Sequence, residues 1–148
     1  DRIYIASPDR FMTVLDQQSG EVVWRYNDLD NRVRESIGIS EDGARVYAKT
    51  MDGQILAIDA TKIDRQIKWI STGEDMGSEL APTAVVEKNG VVFAPTDKGL
   101  IYAYDANSGA FLWKYRVSFG LINMILPTDN GELYVSAMDG KLVKLKVK

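Results

Sequence analysis

No cysteine and no histidine occur among the 148 residues. The first absence excludes disulfides, thiolate metal sites and cysteine nucleophiles; the second removes the commonest general base and the usual imidazole ligand. Most hydrolytic constellations are therefore closed to this chain. Proline is scarce, with four residues, and no apolar run approaches the roughly 18–20 residues of a membrane span. The start, Asp1-Arg2-Ile3-Tyr4, is neither an initiator Met nor a signal peptide, which reads as a processed product or an excerpt. Basic residues are few in the body of the chain. The first 140 residues hold 14 Lys and Arg against 21 Asp and Glu, and the other four Lys (Lys141, Lys144, Lys146, Lys148) crowd into the last eight positions. An acidic body cannot neutralise phosphates, so nucleic acid is excluded as a partner. What remains, 45% hydrophobic and 26% charged with twelve Gly, is the composition of a globular domain with a packed core.

The positive signal is self-similarity. Residues 2–25, 45–70 and 91–114 align closely, and a fourth copy, 132–148, stops before its tryptophan. Each copy opens on an apolar strand with an aromatic (Tyr4, Tyr47, Phe93, Tyr134) and turns at Pro8-Asp9, Asp52-Gly53, Lys98-Gly99 or Asp139-Gly140. Such dipeptides between alternating apolar runs signal hairpins, because Gly accepts the positive φ of a tight turn. A second strand ends in Asp16, Asp59 or Asp105, and a third ends in Trp24, Trp69 or Trp113, spaced by 45 and 44 residues. The middle copy has two extra residues between its Asp and its Trp, which predicts a longer surface loop around Thr61-Lys62-Ile63-Asp64. Residues 35–40, 81–87 and 121–127 supply one more strand each. Four short antiparallel strands per period of about 40–45 residues are the pattern of β-propeller blades. The expected layout is an incomplete blade over residues 1–27, blades over 34–70 and 80–116, and an incomplete blade over 120–148.

The run Ala103-Tyr104-Asp105-Ala106-Asn107-Ser108-Gly109-Ala110-Phe111-Leu112-Trp113, with Ala57-Ile58-Asp59 before Trp69, resembles the repeat of the quinoprotein-dehydrogenase-like (PQQ-like) β-propellers. The first copy departs from it at Val14-Leu15-Asp16, and the second replaces Ser-Gly by Asp64-Arg65. The resemblance implies an all-β fold in which Trp24, Trp69 and Trp113 pack between neighbouring blades. With two blades incomplete, the expectation is about half of a ring of about eight blades, completed either by a missing N-terminal half or by a second copy in a homodimer.

Asp16, Asp59 and Asp105 recur once per blade, so they cap turns rather than converge on a metal, and no metal site is expected. The resemblance places any ligand over the mouth of the central channel, near the segments that lead into each innermost strand. The polar groups there are Arg34, Glu35, Glu79 and Asn123, the candidate ligand-binding residues. No catalytic residues are expected and no cofactor: quinone-dependent members place a catalytic Asp at those positions and often a cysteine pair, and these segments have neither. The expected function is a non-catalytic scaffold that binds a protein partner or a small ligand at the propeller face, in a periplasmic or cell-surface protein. The alternatives are a fragment of a quinone-dependent dehydrogenase, and a propeller appended to another enzyme such as a phosphoesterase or kinase.

Overall fold

The computed structural model describes residues 1–7, 11–26, 36–62, 66–73 and 83–147. All regular structure in it is β. Four antiparallel sheets follow one another along the chain, each built from consecutive strands. The first holds β1 (Arg2–Ala6), β2 (Met12–Asp16) and β3 (Val22–Tyr26), and the second β4 (Gly38–Ile39), β5 (Arg45–Lys49), β6 (Gln54–Asp59) and β7 (Ile67–Thr72). The third holds β8 (Val86–Lys88), β9 (Val91–Pro95), β10 (Leu100–Asp105) and β11 (Phe111–Arg116), and the last β12 (Ile122–Pro127), β13 (Glu132–Ala137) and β14 (Leu142–Lys146). Each sheet is a blade of a partial propeller. Among the described residues β4 and β12 both approach β8, which marks these three as the innermost strands.

The strands expected over 35–40 and 81–87 are shorter than the sequence pattern suggests, and Lys88, expected in a turn, lies in β8. The reason is the close approach at the axis. A Cβ placed on Gly38 would lie 1.9 Å from the Val85 carbonyl oxygen, so only glycine lets these two backbones meet there. β4 and β8, which meet there, form ladders of only two and three residues.

Three apolar clusters occupy the three spaces between the four blades. Met12, Val46, Ala48, Leu56 and Ile58 fill the first; Tyr47, Trp69, Val92, Tyr102 and Tyr104 belong to the second; Phe93, Ile101, Ile122, Leu133 and Val135 belong to the third. A middle blade is thus covered on both faces. This explains why β9 and β10 read as nearly unbroken apolar runs, whereas β1 alternates between half-buried and exposed positions.

Each tryptophan sits in the same device. Tyr47, Ala57 and Trp69 lie in register across β5, β6 and β7, and the Tyr47 and Trp69 ring centroids are 5.9 Å apart. A small residue at 57 leaves the room for both rings. A β-bulge beside Trp69 leaves Lys68 unpaired, and bulges recur at Val23 and Leu112, next to the other two tryptophans. The added twist turns the indole toward the following blade. There the Trp69 Nε1–H donates to the Ala106 carbonyl at 2.9 Å, and the ring lies over Gly109. Gly109 has φ +72°, and a Cβ on it would come within 2.6 Å of the indole. Both the turn and the packing therefore require glycine. Trp69 is 7% exposed, while Trp24 and Trp113 are half-buried.

Trp69→Ala is expected to lower unfolding free energy by about 3–5 kcal/mol, and Lys62→Ala in the longer loop to change it by less than about 0.5 kcal/mol; chemical denaturation compares them. The φ penalty at Gly109 and Gly20 is shared, both being near +72°, but a Cβ on Gly20 meets nothing within 4 Å. Gly109→Ala should therefore cost more than Gly20→Ala, and a double-mutant cycle with Trp69→Ala should remove most of that excess.

Candidate functional site

At the end of the blades where β11 leads into β12, the chain is pinned between two turns. Val117 and Ser118 donate backbone N–H bonds to the Gly99 carbonyl, at 2.9 and 3.4 Å, and Met138 N–H donates to the Leu121 carbonyl at 2.8 Å. Ser118 Oγ accepts from Gly120 N–H at 2.9 Å, and the Ile122 N–H reaches the Thr96 carbonyl at 3.1 Å. Arg116 Nη1 donates to the Lys98 carbonyl at 2.8 Å, and its guanidinium carbon lies 4.9 Å from the Phe119 ring centroid. The consequence is an apolar surface held by a loop whose Val117, Ser118, Gly120 and Ile122 N–H groups are all bonded. Phe119 is 83% exposed and Met138 69%.

Asn123 belongs to this face. It occupies a β-bulge at the start of β12, its Oδ1 accepts from Ser136 Oγ at 2.6 Å, and its Nδ2 lies 3.6 Å from Met138 Sδ. Arg34, Glu35 and Glu79 lie outside the described residues. The sequence reading missed Phe119, Met138 and Arg116, because an apolar residue beside Gly or Asp-Gly reads as the end of a core strand. Two further polar groups lie at the same ends of the strands: Lys49 Nζ donates to the Pro95 carbonyl at 2.9 Å, and Asp97 Oδ1 is buried without a hydrogen-bond partner.

The remaining polar groups fasten blades to one another or fix turns. Glu87, 8% exposed, accepts from the Tyr47 hydroxyl and lies 3.6 Å from Arg45 Nη2. Burial and that carboxylate push the Tyr47 hydroxyl pKa well above its ordinary value. At the opposite end of the blades, Lys88 reaches both Glu41 (2.6 Å) and Asp129 (2.7 Å), joining turns of three successive blades. The Asp129 and Glu41 carboxylates raise the Lys88 pKa in return. Asp16 accepts from the N–H groups of Gln18 and Ser19, Asp59 from Thr61, and Asp105 from Asn107 and Ser108. These carboxylates are turn caps. Hydrogen bonds from the Thr61 hydroxyl and N–H, with Lys68 at 3.1 Å, hold the Asp59 carboxyl down to about 2.

The family model described as outer membrane protein assembly factor BamB matches residues 1–77 and 63–148. The chain belongs to this PQQ-like repeat family. It is 31% identical over 116 residues to the BamB of Bordetella pertussis, covering 78% of this chain and 28% of that protein. It is 27% identical over 150 residues to the quinohemoprotein alcohol dehydrogenase ADH IIB of Pseudomonas putida, covering 91% of this chain and 21% of that enzyme. The crystal structure of BamB from Moraxella catarrhalis superposes with a TM-score of 0.79 at 23% identity, covering 99% of this chain and 42% of that one. The chain thus spans less than half the length of these relatives. Among the described residues no helix is long and apolar enough to cross a membrane.

A depressed carboxyl stabilises the fold above its unfolded pKa near 4 and loses that contribution as the pH falls through the folded value. Asp59→Asn is therefore expected to lower stability at pH 7, and the gap from wild type should close between about pH 4 and pH 2; denaturant midpoints across that range measure it. Lys88→Met should shift the midpoint at low ionic strength and lose that effect in about 1 M NaCl, where screening acts within about 3 Å.

Proposed function

We propose that this chain is the non-catalytic, protein-binding portion of an extracytoplasmic propeller, and that it holds its partner at the channel-mouth face around Phe119, Met138 and Asn123. The observation that carries the reading is Phe119, 83% exposed on a loop pinned by the backbone bonds of Val117, Ser118, Gly120 and Ile122. An aromatic left so exposed, with the Arg116 guanidinium over its ring, is a common anchor of a protein interface. Family membership supports it, since the matched model and one relative carry the name of an outer membrane protein assembly factor. The repeated polar devices are spent on turns and joints between blades, and the mouth is where groups remain on offer.

Likeness to a quinohemoprotein alcohol dehydrogenase favours a second reading, in which the chain is part of a quinone-dependent enzyme. A quinone bearing several carboxylates needs cationic and amide donors. Among the described mouth residues, the Lys49 ammonium donates to the Pro95 carbonyl and Asn123 is engaged by Ser136 and Met138. These engagements within the protein support the scaffold reading over the enzyme reading.

Two measurements on the intact gene product test this. A photo-crosslinking residue at Phe119 should capture one protein partner, while the same residue at Lys68, on an outer strand, should capture none; the reverse pattern would reject the mouth as the docking face. Titration with pyrroloquinoline quinone and calcium, followed by tryptophan fluorescence, should show no saturable binding. Stoichiometric binding would establish the enzyme reading instead.

A further inference from the structure

Two Asn-Gly pairs occur in the sequence, Asn89-Gly90 and Asn130-Gly131, each in a turn from an innermost strand to the next strand out. The first is a two-residue hairpin turn: Lys88 stands opposite Val91, and Asn89 and Gly90 have φ of +51° and +76°. Both central residues of such a turn need positive φ, which is why Asn and Gly stand there. The same pair is the one that cyclises most readily. Gly has no side chain to shield its amide nitrogen, and attack of that nitrogen on the preceding carboxamide carbon closes a five-membered ring.

The structure separates the two pairs. Asn89 and Gly90 are exposed, the Asn89 carboxamide makes no hydrogen bond among the described residues, and a Cβ on Gly90 would meet nothing within 4 Å. The Gly90 N–H has no partner among them either; only its carbonyl is engaged, by the Ala106 N–H at 2.9 Å. In the second pair the Gly131 N–H is held by the Thr128 carbonyl at 3.3 Å. Another turn asparagine, Asn107, has its Oδ1 occupied by Arg45 Nη1 at 2.9 Å, and the Ser108 N–H after it donates to Asp105 at 2.8 Å.

The surroundings of the first pair give its chemistry a consequence. The Asn89 N–H donates to Glu41 Oε2 at 2.7 Å, and Glu41 shares Lys88 with Asp129, so this turn carries an ionic contact between three blades. β8 has only three residues, and its ladder to β9 closes at this turn.

We propose that Asn89 is a site of spontaneous deamidation, and that the product loosens the three-blade contact. Hydroxide takes the proton from the Gly90 nitrogen, which bonds to the Asn89 carboxamide carbon. The bond from that carbon to the side-chain nitrogen breaks, and ammonia leaves with a proton returned by water. A second water opens the succinimide at one of its two carbonyls, leaving an aspartate or an isoaspartate. Either product adds a negative charge to the turn where Glu41 and Asp129 already share one lysine. The isoaspartate also lengthens the turn by one backbone atom, out of step with the Lys88 and Val91 pair.

Mass spectrometry on the intact gene product, aged for days at mildly alkaline pH and then digested, tests the proposal, with the Asn89 and Asn130 peptides read in the same sample. Conversion should be about fivefold faster at Asn89 than at Asn130, the factor that one backbone hydrogen bond withholds. In concentrated urea, where that bond is gone, the two rates should converge. Hydrogen exchange across β8 and β9 should be faster in the aged protein than in the fresh one. Asn89→Gly, which keeps the positive φ, should age without that change. Equal conversion at both pairs in the folded protein, or faster conversion at Asn130, would overturn the assignment of the site. Rates that stay apart in urea would trace the difference to local sequence and overturn the structural argument. Conversion at Asn89 with unchanged exchange would overturn its effect on the contact.

Discussion

The structure depends on a recurring pair of aromatic rings, Tyr4 with Trp24, Tyr47 with Trp69 and Phe93 with Trp113, which at Trp69 reaches on to a carbonyl and a glycine of the next blade. At Trp69 the parts are all in place: Tyr47 and Ala57 set the ring, the bulge at Lys68 aims it, and Ala106 and Gly109 receive it. The receiving turn keeps its shape because Asp105 holds the N–H groups of Asn107 and Ser108. A change at any of these residues acts on two blades at once. That coupling is why the residues that look most chemical in the sequence, the repeated aspartates and tryptophans, are occupied with architecture.

The fold was open to a reading of the sequence because its determinants are local. Strand alternation, Asp-Gly turns and a tryptophan every 44 or 45 residues each report on a few neighbouring positions, and their repetition multiplies the signal. What escaped is non-local. Arg45, Tyr47 and Glu87 form a buried polar group across some 40 residues of sequence, and Lys88 finds Glu41 and Asp129 at similar distances. Nothing near Glu87 announces these contacts. The innermost strands come out shorter for a related reason: Gly38 reads as one more residue of a strand over 35–40 until Val85 is seen against it.

The candidate site was legible in its location more than in its residues. Polar side chains were sought, and of those only Asn123 lies among the described residues, already engaged within its own blade. The groups that the structure displays are Phe119 and Met138. An apolar side chain carries no mark of exposure in a sequence whose strands are buried on both faces, since it reads as one more core residue. Their exposure follows from Ser118, Gly99 and Leu121 holding the loop outward, which is a property of three turns meeting.

The joints are not equal, and the difference has a mechanical meaning. At the first one the Tyr4 hydroxyl and Arg2 Nη1 both donate to the Ala60 carbonyl, the counterpart of Ala106, and the Trp24 Nε1–H is left buried without an acceptor. Among the described residues the cluster beneath it is also the smallest of the three. In a stack stabilised by neighbour terms, such a joint is where partial unfolding starts, as a unit of three strands peeling away while the rest stays native. The chain is thus graded along its length, with a weaker joint between its first two blades and a stronger one between its two complete blades.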